Sequence, residues 1–338
     1  MADYARFLEA AQEAVTLSSG VCRQVQAALD EVRAITKDDK SPVTVADFAS
    51  QAVVARVLRD RLGEVVLVGE EDSKFLREPD HGAHLEAVTA AVREVYDDVD
   101  SDAVLELIDI GAGDTHHAGF WTLDPIDGTK GFLRGQQYAI ALAYIERGTP
   151  VVGAMGCPNL PADFGKPLDT PDPDGTVYIA IKGDGAGQIV GNGDPTTVRR
   201  NDLEASDPIG VCGSVEKGHT NMSDEDRILE HIVANSDHAV REPVRLDSQC
   251  KYAVTARGQA DAYLRLPTRP GYVERIWDHA AGALVATESG CFVTDIFGNQ
   301  LDFGQGRGLE KNKGIVCAPP RVHGLMIGAI EALGIQPA

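Results

Sequence analysis

Residues 121–132 of this chain read Trp-Thr-Leu-Asp-Pro-Ile-Asp-Gly-Thr-Lys-Gly-Phe, the most specific pattern in the sequence. Its first residues predict a strand that runs into a sharp turn, because Pro125 fixes its own backbone dihedral and the glycine after it is conformationally free. Two carboxylates on such a turn, Asp124 and Asp127, can converge on a hard cation, with the Ile126 carbonyl as a third oxygen ligand. An Asp-Pro and Asp-Gly turn without any metal explains the same residues equally well, so this stretch alone leaves both interpretations open.

Acidic residues elsewhere in the chain favour the metal interpretation. Glu70 follows a predicted strand over residues 65–68, and an acidic side chain at a strand end can reach a cleft. Asp278 stands at the head of a predicted helix, and Asp47 stands near the start of another, over about 47–62. An N-cap is the alternative interpretation of both aspartates, since short acidic side chains accept hydrogen bonds from the free N–H groups of a helix start.

Predicted helices and strands alternate along the chain, and this mixed order favours layered α and β packing over a helical bundle or a sandwich of sheets alone. The predicted helices are 7–32, 47–62, 85–95, 223–234, 251–257, 278–288 and 321–333; the predicted strands are 65–68, 120–123, 138–145, 150–157, 176–181, 209–212, 244–246 and 262–266, with a hairpin over 292–303. Residues 158–174 are rich in Pro, Asp and Gly, which predicts a boundary between an N-terminal α+β domain (1–157) and a C-terminal α/β domain (158–338).

The charge of the chain disfavours some classes of partner. It has 338 residues with 52 acidic against 31 basic side chains, a formal charge of -21, so nonspecific binding to nucleic acid or to an anionic membrane is disfavoured. No apolar run is long enough to span a bilayer, and Asp3, Glu9 and Glu13 interrupt any signal-peptide core. We therefore expect a cytoplasmic protein, most simply a monomer, whose partner is a small molecule.

The cysteines and histidines give no separate site. Six cysteines are scattered without any C-x-x-C spacing, which argues against a zinc site and a secreted disulfide framework, so we expect free, buried thiols. His116 and His117 lie beside Asp114 in a predicted loop, where a second metal site is one interpretation and an ordinary loop is the favoured one. No Gly-x-x-x-x-Gly-Lys-Ser/Thr pattern occurs, which argues against a P-loop enzyme.

Together these patterns resemble the lithium-sensitive phosphatases of the inositol monophosphatase superfamily, over essentially the whole chain. That superfamily combines a strand-end Gly-Glu-Glu, an Asp-Pro-Ile-Asp-Gly-Thr turn and a Trp-Asp at a helix start, here at residues 69–71, 124–129 and 277–278. Within it the chain is similar to the 3′(2′),5′-bisphosphate nucleotidases, through strings at residues 41–47, 130–135, 156–160, 246–252, 263–267, 276–282 and 301–303.

The resemblance implies a five-layer αβαβα sandwich, with most metal ligands in the N-terminal domain and the nucleotide contacts in the C-terminal one. It also implies a magnesium-dependent phosphatase that converts adenosine 3′,5′-bisphosphate to AMP and phosphate, and 3′-phosphoadenylyl sulfate to adenosine 5′-phosphosulfate. Sensitivity to lithium and a place in sulfur assimilation belong to the same implication. The alternatives are an inositol polyphosphate 1-phosphatase and a catalytically inactive nucleotide sensor.

Two or three magnesium ions are implied by the resemblance, together with their ligands. One ion would be held by Glu70, Asp124 and the carbonyl of Ile126. A second would be held by Asp124, Asp127 and Asp278, and a third, weaker ion would lie near Glu70.

The resemblance also implies a catalytic pair and a set of substrate contacts. Thr129 and Asp47 would orient and deprotonate the attacking water. The substrate contacts would be Thr129, His219, Ser248, Lys251, Arg265 and Asp278. An exposed position on a helix is the alternative for Lys251, and a surface ion pair is the alternative for Arg265.

Overall fold

The computed structural model describes residues 4–29, 41–215 and 221–336 of the chain. These residues form nine α-helices and twelve β-strands. The helices are α1 (Tyr4–Ala27), α2 (Ser41–Leu62), α3 (Gly82–Arg93), α4 (Ser101–Asp109), α5 (Thr129–Leu133), α6 (Met222–Asn235), α7 (Cys250–Ala256), α8 (Ala280–Ser289) and α9 (Pro320–Ala332). The strands are β1 (Leu67–Gly69), β2 (Gly119–Asp127), β3 (Ala139–Glu146), β4 (Thr149–Cys157), β5 (Thr176–Ile181), β6 (Gly185–Val190), β7 (Thr196–Val198), β8 (Val211–Gly213), β9 (Val244–Arg245), β10 (Ala262–Arg265), β11 (Phe292–Thr294) and β12 (Ile315–Ala318).

The larger sheet contains strands β1 to β7 in sequence order. β1 and β2 are parallel, and every later pair of neighbours is antiparallel. β3 and β4 are joined at Arg147 and Gly148, whose positive φ angles of 49° and 75° match the twist of a tight hairpin. The hairpin predicted over residues 138–157 is therefore confirmed.

The smaller sheet has five strands in the order β11-β12-β10-β8-β9, with β10 parallel to β8 and antiparallel to β12. β11 pairs with β12, and only a single bridge joins Thr294 to Gln300. The turn of the hairpin predicted over 292–303 is therefore confirmed, with Gly298 at a φ of 79°, but its second strand is wrong, since residues 301–303 form no strand. Asp295 ends the strand, because its carboxylate accepts two backbone N–H groups of the turn that follows.

Helices and sheets form five layers. α1 and α2 cover one face of the larger sheet, α7 and α8 fill the space between the two sheets, and α6 and α9 cover the outer face of the smaller sheet. Leu58, Leu123 and Phe132 are fully buried in the core that α1 and α2 form with the larger sheet. Burying a side chain of this size stabilises the fold by roughly 1.5–3 kcal/mol. The expected αβαβα sandwich is confirmed.

Helix α2 begins at Ser41, so the predicted start at Asp47 is wrong, and so is the N-cap interpretation of Asp47. Pro42 lies in the first turn of the helix, where its missing N–H costs no helical hydrogen bond. Asp47 consequently lies inside the helix and is only 7% exposed.

The larger sheet takes strands from both sides of residue 158, where the sequence predicts a domain boundary. That boundary stays a prediction. Over the ranges given above, none of the helices is both long enough and apolar enough to cross a membrane.

Candidate active site

A cavity of about 220 Å³ opens where the end of β2 meets the loop before α7. Its lining includes nine residues singled out from the sequence, namely Glu70, Asp124, Ile126, Asp127, Thr129, Ser248, Lys251, Arg265 and Asp278. Asp47 lies in α2 within electrostatic range of Glu70. His219 lies outside the described residues.

The lining contains charges of both signs. We call Glu70, Asp124, Asp127 and Asp278 the acidic cluster. We call Lys251 and Arg265 the basic pair.

A bulge in β2 turns two members of the acidic cluster toward the same cavity. Asp124 pairs with Ala141 and Asp127 with Ala139, so β2 has one residue more than β3 between these pairs. Successive strand residues point to opposite faces, so side chains three positions apart would diverge in a regular strand. The extra residue brings both carboxylates to one side, and Pro125 suits the bulge because it has no N–H to pair.

The loop before α7 lies directly against the end of β2. Gly128 has a φ of 90°, and a Cβ there would lie 2.8 Å from the Cβ of Ser248, so a side chain does not fit. Asp127 Oδ2 accepts the backbone N–H of Gln249 at 2.7 Å. Ser248 has a φ of 69°, a conformation that costs roughly 1–3 kcal/mol for a residue with a side chain, and this tight contact holds it there.

Glu70 is positioned from two directions. Its N–H donates to the carbonyl of Leu123 at 3.2 Å, which extends the pairing of β1 with β2. Gln51 on α2 donates from Nε2 to the Glu71 carbonyl at 2.8 Å and accepts the Glu71 N–H at 3.2 Å. Gln51 lies one helical turn after Asp47, so α2 carries both that aspartate and the amide that fixes the Glu70-Glu71 segment.

The acidic cluster carries negative charge that the protein only partly balances. Burial raises the pKa of Asp124 well above its ordinary value, and the other members of the cluster raise it further. Burial and then Asp127 also raise the pKa of Asp278, which Arg265 opposes. Withdrawal from bulk water and then Asp127 raise the pKa of Glu70, although its side chain stays open to the cavity. These shifts express the cost of ionising neighbouring carboxylates without a nearby cation.

The residues of the acidic cluster fit a hard divalent cation. Asp124 Oδ1 is buried and has no hydrogen-bond partner among the described residues. Carboxylate and carbonyl oxygens are the ligands that magnesium and calcium take in proteins, and a bound cation would satisfy that oxygen and reduce the repulsion.

A different grouping, Glu274 with Asp278 and His279, places its ligand atoms within 4.8 Å of one another. Both oxygens of Glu274 are already engaged: Arg265 Nε donates to Oε1 at 2.8 Å, and Arg265 Nη2 lies 2.7 Å from Oε2. His279 Nε2 lies 3.3 Å from the same Oε2, and its Nδ1 is hydrogen-bonded to the Tyr252 hydroxyl at 2.9 Å. This grouping therefore fixes the guanidinium of Arg265 in the cavity and is a poorer cation site than the acidic cluster.

The basic pair is built into the protein. Lys251 is 5% exposed, and its Nζ donates to the carbonyl of Ser248 at 2.7 Å and lies 5.3 Å from the ring centroid of Tyr263. Burial lowers the pKa of Lys251, which Asp127 opposes. Arg265 pairs with the buried Glu274 rather than with a surface acid, so the alternatives of an exposed lysine and a surface ion pair are wrong.

The proposed catalytic residues lie on different elements. Thr129 begins α5 and is exposed at the cavity, whereas Asp47 is buried in α2. Burial, then Glu71 and Glu70, raise the pKa of Asp47 well above its ordinary value. No hydrogen bond joins Thr129 to Asp47 in the described part of the chain, and their pairing stays a prediction.

The remaining candidates have ordinary surroundings. All six cysteines are buried and free, as expected. His117 lies on an exposed loop, with Nε2 3.9 Å from Asp114 Oδ1, and His116 is exposed beside it.

Known proteins resemble this chain over nearly its full length. The model of the inositol monophosphatase family matches residues 3–334. A protein of Schizosaccharomyces pombe named 3′(2′),5′-bisphosphate nucleotidase is 40% identical over 96% of this chain and 94% of its own length. A protein of the same name from Oryza sativa is 39% identical over 97% of this chain and 94% of its own length.

Solved structures share the fold at lower sequence identity. SuhB of Mycobacterium tuberculosis is 21% identical with a TM-score of 0.59, covering 98% of both chains. CysQ from Bacteroides thetaiotaomicron, described as a bacterial member of the inositol monophosphatase family, is 18% identical with a TM-score of 0.61, covering 92% of this chain and 96% of its own.

Proposed function

This chain belongs to the inositol monophosphatase family, and we propose that it is a 3′(2′),5′-bisphosphate nucleotidase. It would hydrolyse the 3′-phosphate of adenosine 3′,5′-bisphosphate, releasing AMP and phosphate. It would also convert 3′-phosphoadenylyl sulfate to adenosine 5′-phosphosulfate, in sulfur assimilation. The relatives from Schizosaccharomyces pombe and Oryza sativa carry the name of this activity.

The observation that carries the proposal is the presence of the acidic cluster and the basic pair in one cavity. A single phosphate monoester needs one site for its anionic group. A substrate with two separated anionic groups can place one at a cation held by the acidic cluster and the other on Lys251 and Arg265, which bind anions directly.

The acidic cluster and the Ile126 carbonyl would hold two or three magnesium ions. When bound, these ions would acidify the attacking water and balance the charge that develops on the transferred phosphate. Lithium would inhibit by competing for one of these positions.

Residues of the chain would supply the rest of the chemistry. The Thr129 hydroxyl would accept a hydrogen bond from the attacking water, and the carboxylate of Asp47 would take the proton passed on by Thr129 Oγ1. Ser248, Lys251 and Arg265 would hold the phosphate that is not cleaved, together with His219. The remaining parts of the proposal are a cytoplasmic location, a monomeric state and no nucleic-acid or membrane partner.

The substrate class is tested by phosphate release from adenosine 3′,5′-bisphosphate and inositol 1,4-bisphosphate, measured side by side with magnesium. We expect a kcat/KM at least tenfold higher for the nucleotide. A preference for the inositol compound would replace the proposal by an inositol polyphosphate 1-phosphatase. Binding of the nucleotide without turnover of either compound would point to an inactive sensor.

A further inference from the structure

Arg307 joins two parts of the chain that are distant in sequence. Its Nη2 donates to the carbonyl of Gly69 at 2.6 Å, across 238 residues. Its guanidinium carbon lies 4.8 Å from the ring centroid of Trp277. The planar guanidinium thus stacks on an indole and donates a hydrogen bond at the same time, which lysine cannot do in this form.

The two contacted residues have one feature in common. Gly69 directly precedes Glu70 at the end of β1, and Trp277 directly precedes Asp278 before α8. Glu70 and Asp278 both line the cavity and belong to the acidic cluster. Arg307 does not line that cavity, so it contacts the chain immediately beside two carboxylates without entering the site.

Backbone contacts fix the segment that carries Arg307. Its own carbonyl accepts the N–H of Ile276 at 3.2 Å, and the N–H of Leu309 donates to the Glu274 carbonyl at 2.8 Å. An isolated bridge also joins Gly308 to Arg275. The base of the Arg307 side chain is therefore tied to the strand-like segment that leads into Asp278, while its tip reaches the segment that leads into Glu70.

We propose that Arg307 is a positioning residue that sets the separation of Glu70 and Asp278, and through it the affinity of the acidic cluster for divalent cations. The proposal rests on the metal site of the proposed function but not on its substrate. Removing a residue that orients metal ligands without itself binding the metal typically lowers metal affinity 10- to 100-fold. We expect Arg307→Met, which keeps the aliphatic stem but loses both contacts, to fall in that range.

The test is the affinity for Mn²⁺ and Mg²⁺ without substrate, from calorimetric titration and from the rise in Tm that each ion causes. Lys311→Met is the matched control, because Lys311 follows in the same loop, is 64% exposed and pairs only with Asp302 at 3.0 Å among the described residues. We expect Arg307→Met to bind both ions about tenfold or more weakly and the control to match wild type. At saturating magnesium, the KM for the nucleotide should be unchanged in Arg307→Met.

Arg307→Lys keeps the positive charge and guards against a variant that fails to fold. We expect it to have the metal-free Tm of wild type and still to bind cations more weakly. Arg307 lies within electrostatic range of Glu70, so only the lysine variant keeps the charge constant, and wild-type affinity in Arg307→Lys would overturn the positioning role while leaving the proposed function intact. A wild-type protein that binds neither ion would overturn the metal site of the proposed function and this inference with it.

Discussion

The acidic cluster and the basic pair differ in what the protein provides for them. Arg265 is held by Glu274, and Lys251 donates to a carbonyl, so the basic pair has its partners inside the chain. In the acidic cluster, the pKa of Asp124 is raised by burial and by its acidic neighbours, and its Oδ1 has no partner among the described residues. The basic pair is therefore held in place by the chain itself, whereas a buried carboxylate oxygen of the acidic cluster lacks a partner in the described part of the chain, and we propose that a divalent cation supplies it.

The largest effect should come from breaking the acidic cluster. Asp127→Asn keeps the size of the side chain but removes one charge, so we expect kcat to fall roughly a thousandfold, because bound metal ions stabilise such transition states by several kcal/mol. Phosphate release at saturating magnesium measures this loss. The control is Asp60→Asn, a surface aspartate paired with Arg56, which should retain full activity. A variant at Asp127 with near-normal kcat would remove this residue from the metal site.

The partner of Arg265 gives the next largest effect, on stability. Burial opposes ionisation, but Arg265 and His279 hold the pKa of Glu274 at about 2. Because this pKa lies below that of an unfolded glutamate, the stabilisation is present above about pH 4.5 and is lost as the pH falls toward 2. We expect Glu274→Gln to lower the free energy of unfolding by roughly 3 kcal/mol at pH 7, because it leaves a buried guanidinium without its charge partner.

Urea unfolding of wild type and Glu274→Gln at pH 7, 4 and 3 measures this difference. The difference in the free energy of unfolding between the two proteins should become smaller at each lower pH. The exposed glutamate in Glu78→Gln serves as the control and should change little. A gap that is constant over the whole range would mean that the ion pair does not contribute in the way described.

Lys251→Met tests the role of the basic pair in substrate binding. A hydrogen bond to a charged group contributes roughly 1.5–3 kcal/mol, so the KM for adenosine 3′,5′-bisphosphate should rise about 10- to 100-fold. The KM for an inositol monophosphate, which has no second phosphate for the basic pair to hold, should rise much less, and the magnesium dependence should stay that of wild type. Lys311→Met is again the control. Equal losses for both substrates would count against a role of the basic pair in holding the second phosphate.

The smallest expected effect is on the stability of the metal-free protein, through Glu71 beside the acidic cluster. Burial, then Glu70 and Asp72, raise the pKa of Glu71 to about 7. The folded protein then binds more protons than the unfolded chain between about pH 4.5 and 7, so its stability falls as the pH rises through that window. Glu71→Gln should make this decline smaller, since Glu70 and Asp47 still contribute to it, and should make the metal-free protein about 1–2 kcal/mol more stable at pH 8. Urea unfolding with EDTA at pH 5 and pH 8 is the measurement, and an equal pH dependence in both proteins would contradict it.

The order of predicted helices and strands indicates layered α/β packing, whereas the five-layer arrangement and most of the cavity lining are predicted only through the resemblance to the inositol monophosphatase superfamily. The Asp-Pro-Ile-Asp turn predicts two carboxylates at a strand end. The sequence does not show that a β-bulge brings Asp124 and Asp127 to the same side of the strand. Helix α4 is absent from the predictions, since its N-cap Asp100 lies in an acidic stretch that resembles a loop. The start of α2 is missed because Pro42 is a turn residue in most contexts.

The residues that position the site could not be found from the sequence. Gln51 acts on a segment 20 residues away, and Arg307 acts across 238 residues. Contacts of this kind leave no periodicity, and a single glutamine or arginine has many surface alternatives. Only its place in the segment directly before Asp278 indicates from the sequence that Glu274 lies near the site.

If the acidic cluster works only with a divalent cation, adding magnesium to metal-free protein must restore hydrolysis. Phosphate release from adenosine 3′,5′-bisphosphate is measured as magnesium is added to protein stripped with EDTA. We expect no phosphate release above background without the ion, and a rise to a plateau as magnesium is added. Full hydrolysis in the presence of EDTA would contradict it.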